Sequence, residues 1–423
     1  MSIQTKTYST GLRLIVEPIP NNRAVAVFFG INAGSVYENE KNSGISHVIE
    51  HMTFKGTKTR SAEQISTELE TLGANVNAFT SRYNTQYYGK CIKENTEKMV
   101  EIFSDMILNS TYDEEELKKE LKVIFEEIDM YEDDPGSVAY DKYNEIFFKG
   151  TKLEQSVIGT KKNLSKLKRK DLIDYINEYY LPQNMVVSFS GDITMQEADK
   201  MVKKYFNSYF SKENKPLNME QTNKVVVPKQ AQSITKKNIA QTHIVIGYPT
   251  DNIYSNQVAG INVLSFILGG GMSSRLFVRI REKLGLVYSI NAIPELLDIG
   301  GNLIISLATN SSNQELALKS IKEEIDNIAK NGVTDAELQK AKTFCKSMLV
   351  MSSELSTNKA RNNASNMLTY GKNITLDQRI AQVEKVTKKQ VNQLAKEIFD
   401  REEMCIAVVS DKPIKNPLKT YFA

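Results

Sequence analysis

Tryptophan is absent from this 423-residue chain, and histidine and cysteine occur only three times each. The thiols Cys91, Cys345 and Cys405 stand far apart, with no Cys-x-x-Cys pair among them. That argues against a disulfide framework or a cysteine zinc knuckle and fits a reducing compartment, so a cytoplasmic chain is expected. No apolar run approaches the length of a membrane span, and Met1–Lys6 lacks the apolar core of a secretory signal. Charge of one sign is missing too. The 54 basic and 51 acidic residues leave a net charge of +3, which creates no global field toward nucleic acid. Neither nucleic acid nor membrane is an expected partner. With 41% apolar and 25% charged residues, the composition is that of an ordinary globular protein, long enough for two or more domains.

Two of the scarce histidines sit together in His47-Val48-Ile49-Glu50-His51. On a helix, positions 47 and 51 lie nearly above one another with Glu50 beside them, while Ile45, Val48, Ile49 and Met52 fall on the opposite face. One stripe is apolar enough to bury, and the other aims two imidazoles and a carboxylate at a common point. That is half of a tetrahedral zinc site plus a candidate general base, in the inverted His-x-x-Glu-His order. A polar helix face that happens to carry two histidines is the plainer alternative. The zinc reading needs a third ligand.

A helix expected from Asp113 to Tyr131 carries an acidic first turn and the apolar stripe Leu117, Leu121, Ile124 and Ile128. Glu120 and Glu127 are two turns apart at the edge of that stripe. A carboxylate so placed needs a partner, and either a metal ion or a lysine serves. Strands are expected at Leu12–Glu17, Ala24–Ile31, Val76–Ser81, Thr85–Ile92 and Met185–Ser190. The polar stretch from Phe206 to Pro228 marks a linker, taken as residues 213–230. Beyond it the pattern restarts. Met185-Val-Val-Ser-Phe-Ser-Gly-Asp192 returns as Met404-Cys-Ile-Ala-Val-Val-Ser-Asp411, and Leu72-Gly73 before a strand returns as Leu284-Gly285. Two diverged halves, 1–212 and 231–423, are the expectation, and Gly260–Leu268 replaces the zinc helix in the second without histidine or carboxylate.

These segments carry a family resemblance over essentially the whole chain. His47-Val-Ile-Glu-His51-Met-Thr-Phe-Lys-Gly-Thr57 resembles the signature of the pitrilysin-type (M16) zinc metallopeptidases, in the half-length branch of the mitochondrial processing peptidase and its bacterial relatives. The spacing from His51 to Glu127 is similar to that family's third ligand, and Glu120 matches a glutamate that supports the site. Gly73-Ala-Asn-Val-Asn77-Ala78-Phe79-Thr80 resembles the family's substrate-pairing edge strand. Gly269-Gly-Gly-Met-Ser-Ser-Arg275-Leu-Phe and Arg281-Glu-Lys-Leu-Gly-Leu-Val-Tyr288 resemble its glycine-rich loop and arginine–tyrosine pair.

The resemblance implies an α+β fold of two homologous half-domains, each a mainly antiparallel sheet with helices packed on one side, forming a clamshell around a chamber. It implies one Zn²⁺ per chain on His47, His51 and Glu127, with Glu50 as general base and Glu120 supporting. Arg281 and Tyr288 would hold substrate carbonyls and the oxyanion, and Asn77, Ala78 and Phe79 would align a peptide substrate as an added strand. Where relatives that read an arginine near the cleavage site carry an acidic pair, this chain has Ser137 and Asp141, so strict arginine dependence is not expected. The implied activity is a zinc endopeptidase acting on short or unfolded peptides. A non-catalytic scaffold subunit of the same fold is the rival, and a hydrolase of small amides a more distant one. A homodimer is expected, with a heterodimer alongside a zinc-less homologue as the alternative. His243, within a strand, is read as structural.

Overall fold

A computed structural model describes residues 2–211, 230–236, 238–412 and 414–422, so the expected linker lies, but for its last residue, outside the described residues. The chain forms two compact units. The first takes Met1–Ile128, Gln155–Glu220 and Val350–Leu376, and the second takes Asp129–Glu154, Gln221–Leu349 and Asp377–Ala423.

In the first unit the apolar and alternating segments become β1 (Gln4–Thr7), β2 (Arg13–Pro18), β3 (Ala24–Ile31), β4 (Asn75–Thr80), β5 (Thr85–Ile92) and β6 (Met185–Gly191). They lie in the order β1-β2-β6-β3-β5-β4, antiparallel throughout except where β2 runs beside β6. Val25, Val27, Phe29 and Ile31 point from β3 into the main core. There they meet the apolar stripes of α1 (Ile45–Thr53), α2 (Ala62–Thr71), α3 (Thr96–Asn109) and α4 (Glu114–Asp133). The period of two sends Ala26 and Phe28 to the opposite face. That face is not bare: Ala360, Ala364 and Met367 of helix Ser356–Tyr370 cover it.

The second unit repeats the plan. Its strands β7 (Gln230–Thr235), β8 (Thr242–Thr250), β9 (Val287–Leu296), β10 (Gly301–Thr309) and β11 (Cys405–Ser410) lie in the order β7-β11-β8-β10-β9. This is the first sheet without β1, down to the single parallel pair at the same place. Gly73 and Gly285, the glycines expected to be equivalent, both take the left-handed conformation before the edge strands β4 and β9, with φ of +59° and +61°. The helix Val258–Gly269 stands where α1 stands, buried around most of its circumference and free of ligand-type side chains. The architecture is α+β, as expected.

The compact units depart from the contiguous halves 1–212 and 231–423. Helix α5 (Pro135–Phe147) buries Ala139, Tyr143 and Phe147 against β8 and β11 of the second unit, while helix Ser356–Tyr370 packs on β3 and β6 of the first. Each half of the sequence thus lends a helix to the sheet of the other. Glycines make room for both. A Cβ on Gly247 of β8 would lie 1.8 Å from the Tyr143 hydroxyl, and one on Gly30 of β3 would lie 2.8 Å from Leu368. A helical stripe announces that a face is buried but not which sheet it meets, so periodicity could not reveal the exchange.

Candidate metal centre

Helix α1 is short and starts without an ordinary cap. Its N-cap is Gly44 at φ +91°, which has no side chain to receive the first free N–H groups. Glu38 supplies the missing acceptor. Its Oε2 accepts from Gly44 N at 2.6 Å and its Oε1 from Ser46 N at 2.9 Å, entirely within the core. Burial lifts the Glu38 carboxyl to about 7 against the opposing pull of those bonds. A carboxyl raised in the folded state stabilises it most below its ordinary value of 4.5 and loses that contribution as pH climbs through about 7. Relative to Glu38→Gln, the wild type is therefore expected to lose roughly 2–3 kcal/mol of unfolding free energy between about pH 5 and about pH 7. Urea denaturation of both proteins across that range checks the slope.

Val48, Ile49 and Met52 anchor α1 in the core, which leaves His47 and His51 on the opposite face, their ring centroids 4.5 Å apart. Helix α4, anchored by Leu117, Leu121, Ile124 and Ile128, presents Glu127 to them. Glu127 Oε2 lies 3.8 Å from His47 Nε2 and 3.7 Å from His51 Nε2. One ligand atom from each of the three falls within 4.8 Å of the others, the one such group of three or more among the described residues. Those separations are too long for hydrogen bonds. They are close to the ~3.4 Å between neighbouring donors that sit about 2.1 Å from a tetrahedral ion.

The two histidines are pushed in opposite directions. Burial, reinforced by the charge on His51, pushes His47 down to about 4, which keeps its imidazole neutral. His51 Nδ1 lies 2.9 Å from Glu120 Oε1, and the other Glu120 oxygen is 2.6 Å from Lys55 Nζ. Burial works to raise the Glu120 carboxyl, but His51 and Lys55 outweigh it and hold it below its ordinary value. A carboxylate at Nδ1 fixes that proton and turns the Nε2 lone pair toward Glu127. Burial works to lower the His51 pKa, but Glu120, Glu50 and Glu127 outweigh it and raise it, so a bound metal ion would displace a proton from this ring. Two imidazoles and a carboxylate are a donor set that fits Zn²⁺ with a position left over. Glu120→Gln is expected to weaken zinc binding about 10- to 100-fold with the fold intact, measured by competition with a chromogenic chelator.

Glu50 stands beside this group without joining it. Its Oε2 accepts a 2.5 Å hydrogen bond from Thr80 Oγ1, and burial raises its carboxyl despite that bond. Thr80 ends β4, the outermost strand of the sheet, which carries Asn77, Ala78 and Phe79. Asn77 is exposed and its Oδ1 accepts from Ala78 N at 2.8 Å, while Phe79, on the same face as Asn77 and opposite Thr80, meets Tyr88 edge-on at 6.3 Å. In the second unit, the Arg281 guanidinium stacks 4.6 Å over Phe277 and 5.1 Å over Tyr288, itself 79% exposed. His243 lies in β8 near Gly136 and Asp134, and Ser137 and Asp141 lie in α5. Sequence reasoning gave no role to Glu38, Lys55 or Thr80. Lys55 sits one turn beyond His51, and Glu38 precedes a helix that opens on glycine, so each left a faint signal.

The chain is similar to known proteins along nearly its whole length. Residues 13–161 match the family described as Insulinase (Peptidase family M16), and residues 166–344 match the Peptidase M16 inactive domain. The chain is 34% identical over 409 residues to the uncharacterized zinc protease YmxG of Bacillus subtilis, covering 96% of this chain and 98% of that one. It is 32% identical over 390 residues to an uncharacterized zinc protease of Rickettsia bellii, covering 92% and 93%. A protease from Helicobacter pylori shares the fold at a TM-score of 0.90 and 23% identity, covering 97% and 99%. With a matched relative aligned along nearly its whole length, this chain belongs to peptidase family M16.

Proposed function

We propose that the protein is a zinc-dependent endopeptidase that cleaves short or unfolded peptides bound as an added strand along β4. The observation that carries this reading is the convergence of His47, His51 and Glu127 within 4.8 Å, with Glu50 adjacent and unligated. Held by those three residues, zinc would polarise the scissile carbonyl and acidify water. Glu50 removes the proton from the attacking water and returns it to the departing amine. Thr80 engages Oε2, so this transfer falls to Oε1. The free edge of β4 offers main-chain groups to an extended peptide, which gives affinity with little sequence preference.

Arg281 and Tyr288 are assigned to the substrate, as donors to peptide carbonyls and to the developing oxyanion. Arg281→Ala is expected to lower kcat/KM by about 100-fold without loss of zinc, as read by steady-state kinetics and metal analysis. The reading as a whole is tested by incubating the protein with a diverse pool of unstructured peptides and mapping products by mass spectrometry. Cleavage should stop with a chelator and resume with Zn²⁺. Wild-type protein that binds zinc yet cleaves nothing would favour the non-catalytic scaffold.

A further inference from the structure

We propose that Thr80 is a positioning residue that ties the posture of Glu50 to the strand on which substrate docks, an inference that rests on the peptidase reading above. The register of the β4–β5 hairpin carries the argument. Ser81 N donates to Asn84 O at 2.8 Å across the turn, and Thr80 pairs with Thr85 and Phe79 with Gln86. In an antiparallel pair, hydrogen-bonded and non-bonded partners alternate. Counting back from Ser81, residues 79 and 77 spend their main-chain groups on β5, while 80, 78 and 76 turn theirs to the free edge. The Ala78 N–H agrees, since it is taken by Asn77 Oδ1 and not by β5. Thr80 therefore presents its N–H and C=O to whatever pairs with β4, and its side chain to the inner face where α1 lies.

Thr80 has one hydroxyl proton to give. Two acceptors lie near it: Glu50 Oε2 at 2.5 Å and Thr85 Oγ1 at 3.3 Å. Thr85 commits its own proton to Ala33 O at 2.7 Å. The shorter, charge-assisted bond to the carboxylate takes the Thr80 proton. One residue thus faces substrate with its backbone and Glu50 with its hydroxyl. A peptide that pairs as far as Thr80 stiffens that strand end and, through the hydroxyl, fixes the carboxylate that handles protons. Extended peptides gain in kcat as well as in KM, because part of their binding is spent on alignment.

The test compares wild type, Thr80→Ser and Thr80→Val on a short fluorogenic peptide and on a longer one of the same core sequence. Valine keeps the shape and the strand preference while removing the hydroxyl. T80V should lose roughly 10- to 100-fold in kcat on the long peptide, the worth of a hydrogen bond to a charged group. Its KM and zinc affinity should match wild type, and T80S should restore kcat. Full kcat in T80V, or failure of T80S to restore it, overturns the proposal. Crystals of metal-free wild type and T80V give a readout independent of activity. The Glu50 carboxylate should stay on Thr80 in the first and swing away in the second, and an unmoved carboxylate overturns the proposal. A wild type that cleaves no peptide counts against the peptidase reading, while the crystals still decide the role of Thr80.

Discussion

Glu50→Gln is expected to lower kcat by about 1000-fold while zinc binding stays at the wild-type level. The two outcomes separate because Glu50 lies beside the ligand group and outside it. Glutamine has the size of glutamate and can still accept the Thr80 hydroxyl, so the local packing survives. What disappears is a group that can take a proton from water. Substrate affinity, which the proposed function assigns to the edge of β4, should change little. Steady-state kinetics together with metal analysis reads both numbers. A variant that keeps more than a tenth of wild-type kcat would remove Glu50 from the role of base.

Glu127→Ala carries the second large expectation. It removes the one candidate ligand that α4 contributes and leaves two imidazoles on a single turn of α1. Zinc affinity should fall on the order of 100- to 1000-fold, since three or four ligands together supply the binding free energy of such a site. The wild type should melt at a higher temperature with Zn²⁺ than after chelation, because an ion that binds only the folded state stabilises it. In Glu127→Ala that difference should shrink at the same zinc concentration, by the equivalent of up to about 2.7–4.1 kcal/mol for a 100- to 1000-fold loss of affinity. Equal zinc-induced shifts in both proteins would place the ion elsewhere.

The parts of this protein that were legible in its sequence are those written in short-range periodicity. A helical period sets His47 and His51 on one face and Val48, Ile49 and Met52 on the other, and the structure has them so. Leu117, Leu121, Ile124 and Ile128 likewise fix which side of α4 is buried, which places Glu120 and Glu127 at its border. The duplication was visible in paired segments around Gly73 and Gly285, and the two sheets share one strand order. Contacts between residues distant in sequence were not legible. Nothing local says that Tyr143 fits over Gly247, or that Leu368 crosses Gly30. The caps are hidden for the same reason. Glu38 reaches Ser46 through the fold of a loop, and Thr80 reaches Glu50 only because β4 runs beside α1.

Zinc anomalous diffraction from crystals of the wild-type protein tests the central claim most directly. The account predicts one peak per chain about 2.0–2.2 Å from His47 Nε2, His51 Nε2 and a Glu127 oxygen, with Glu50 outside coordination distance. A peak that leaves Glu127 unbound, or zinc held by other residues, would contradict it.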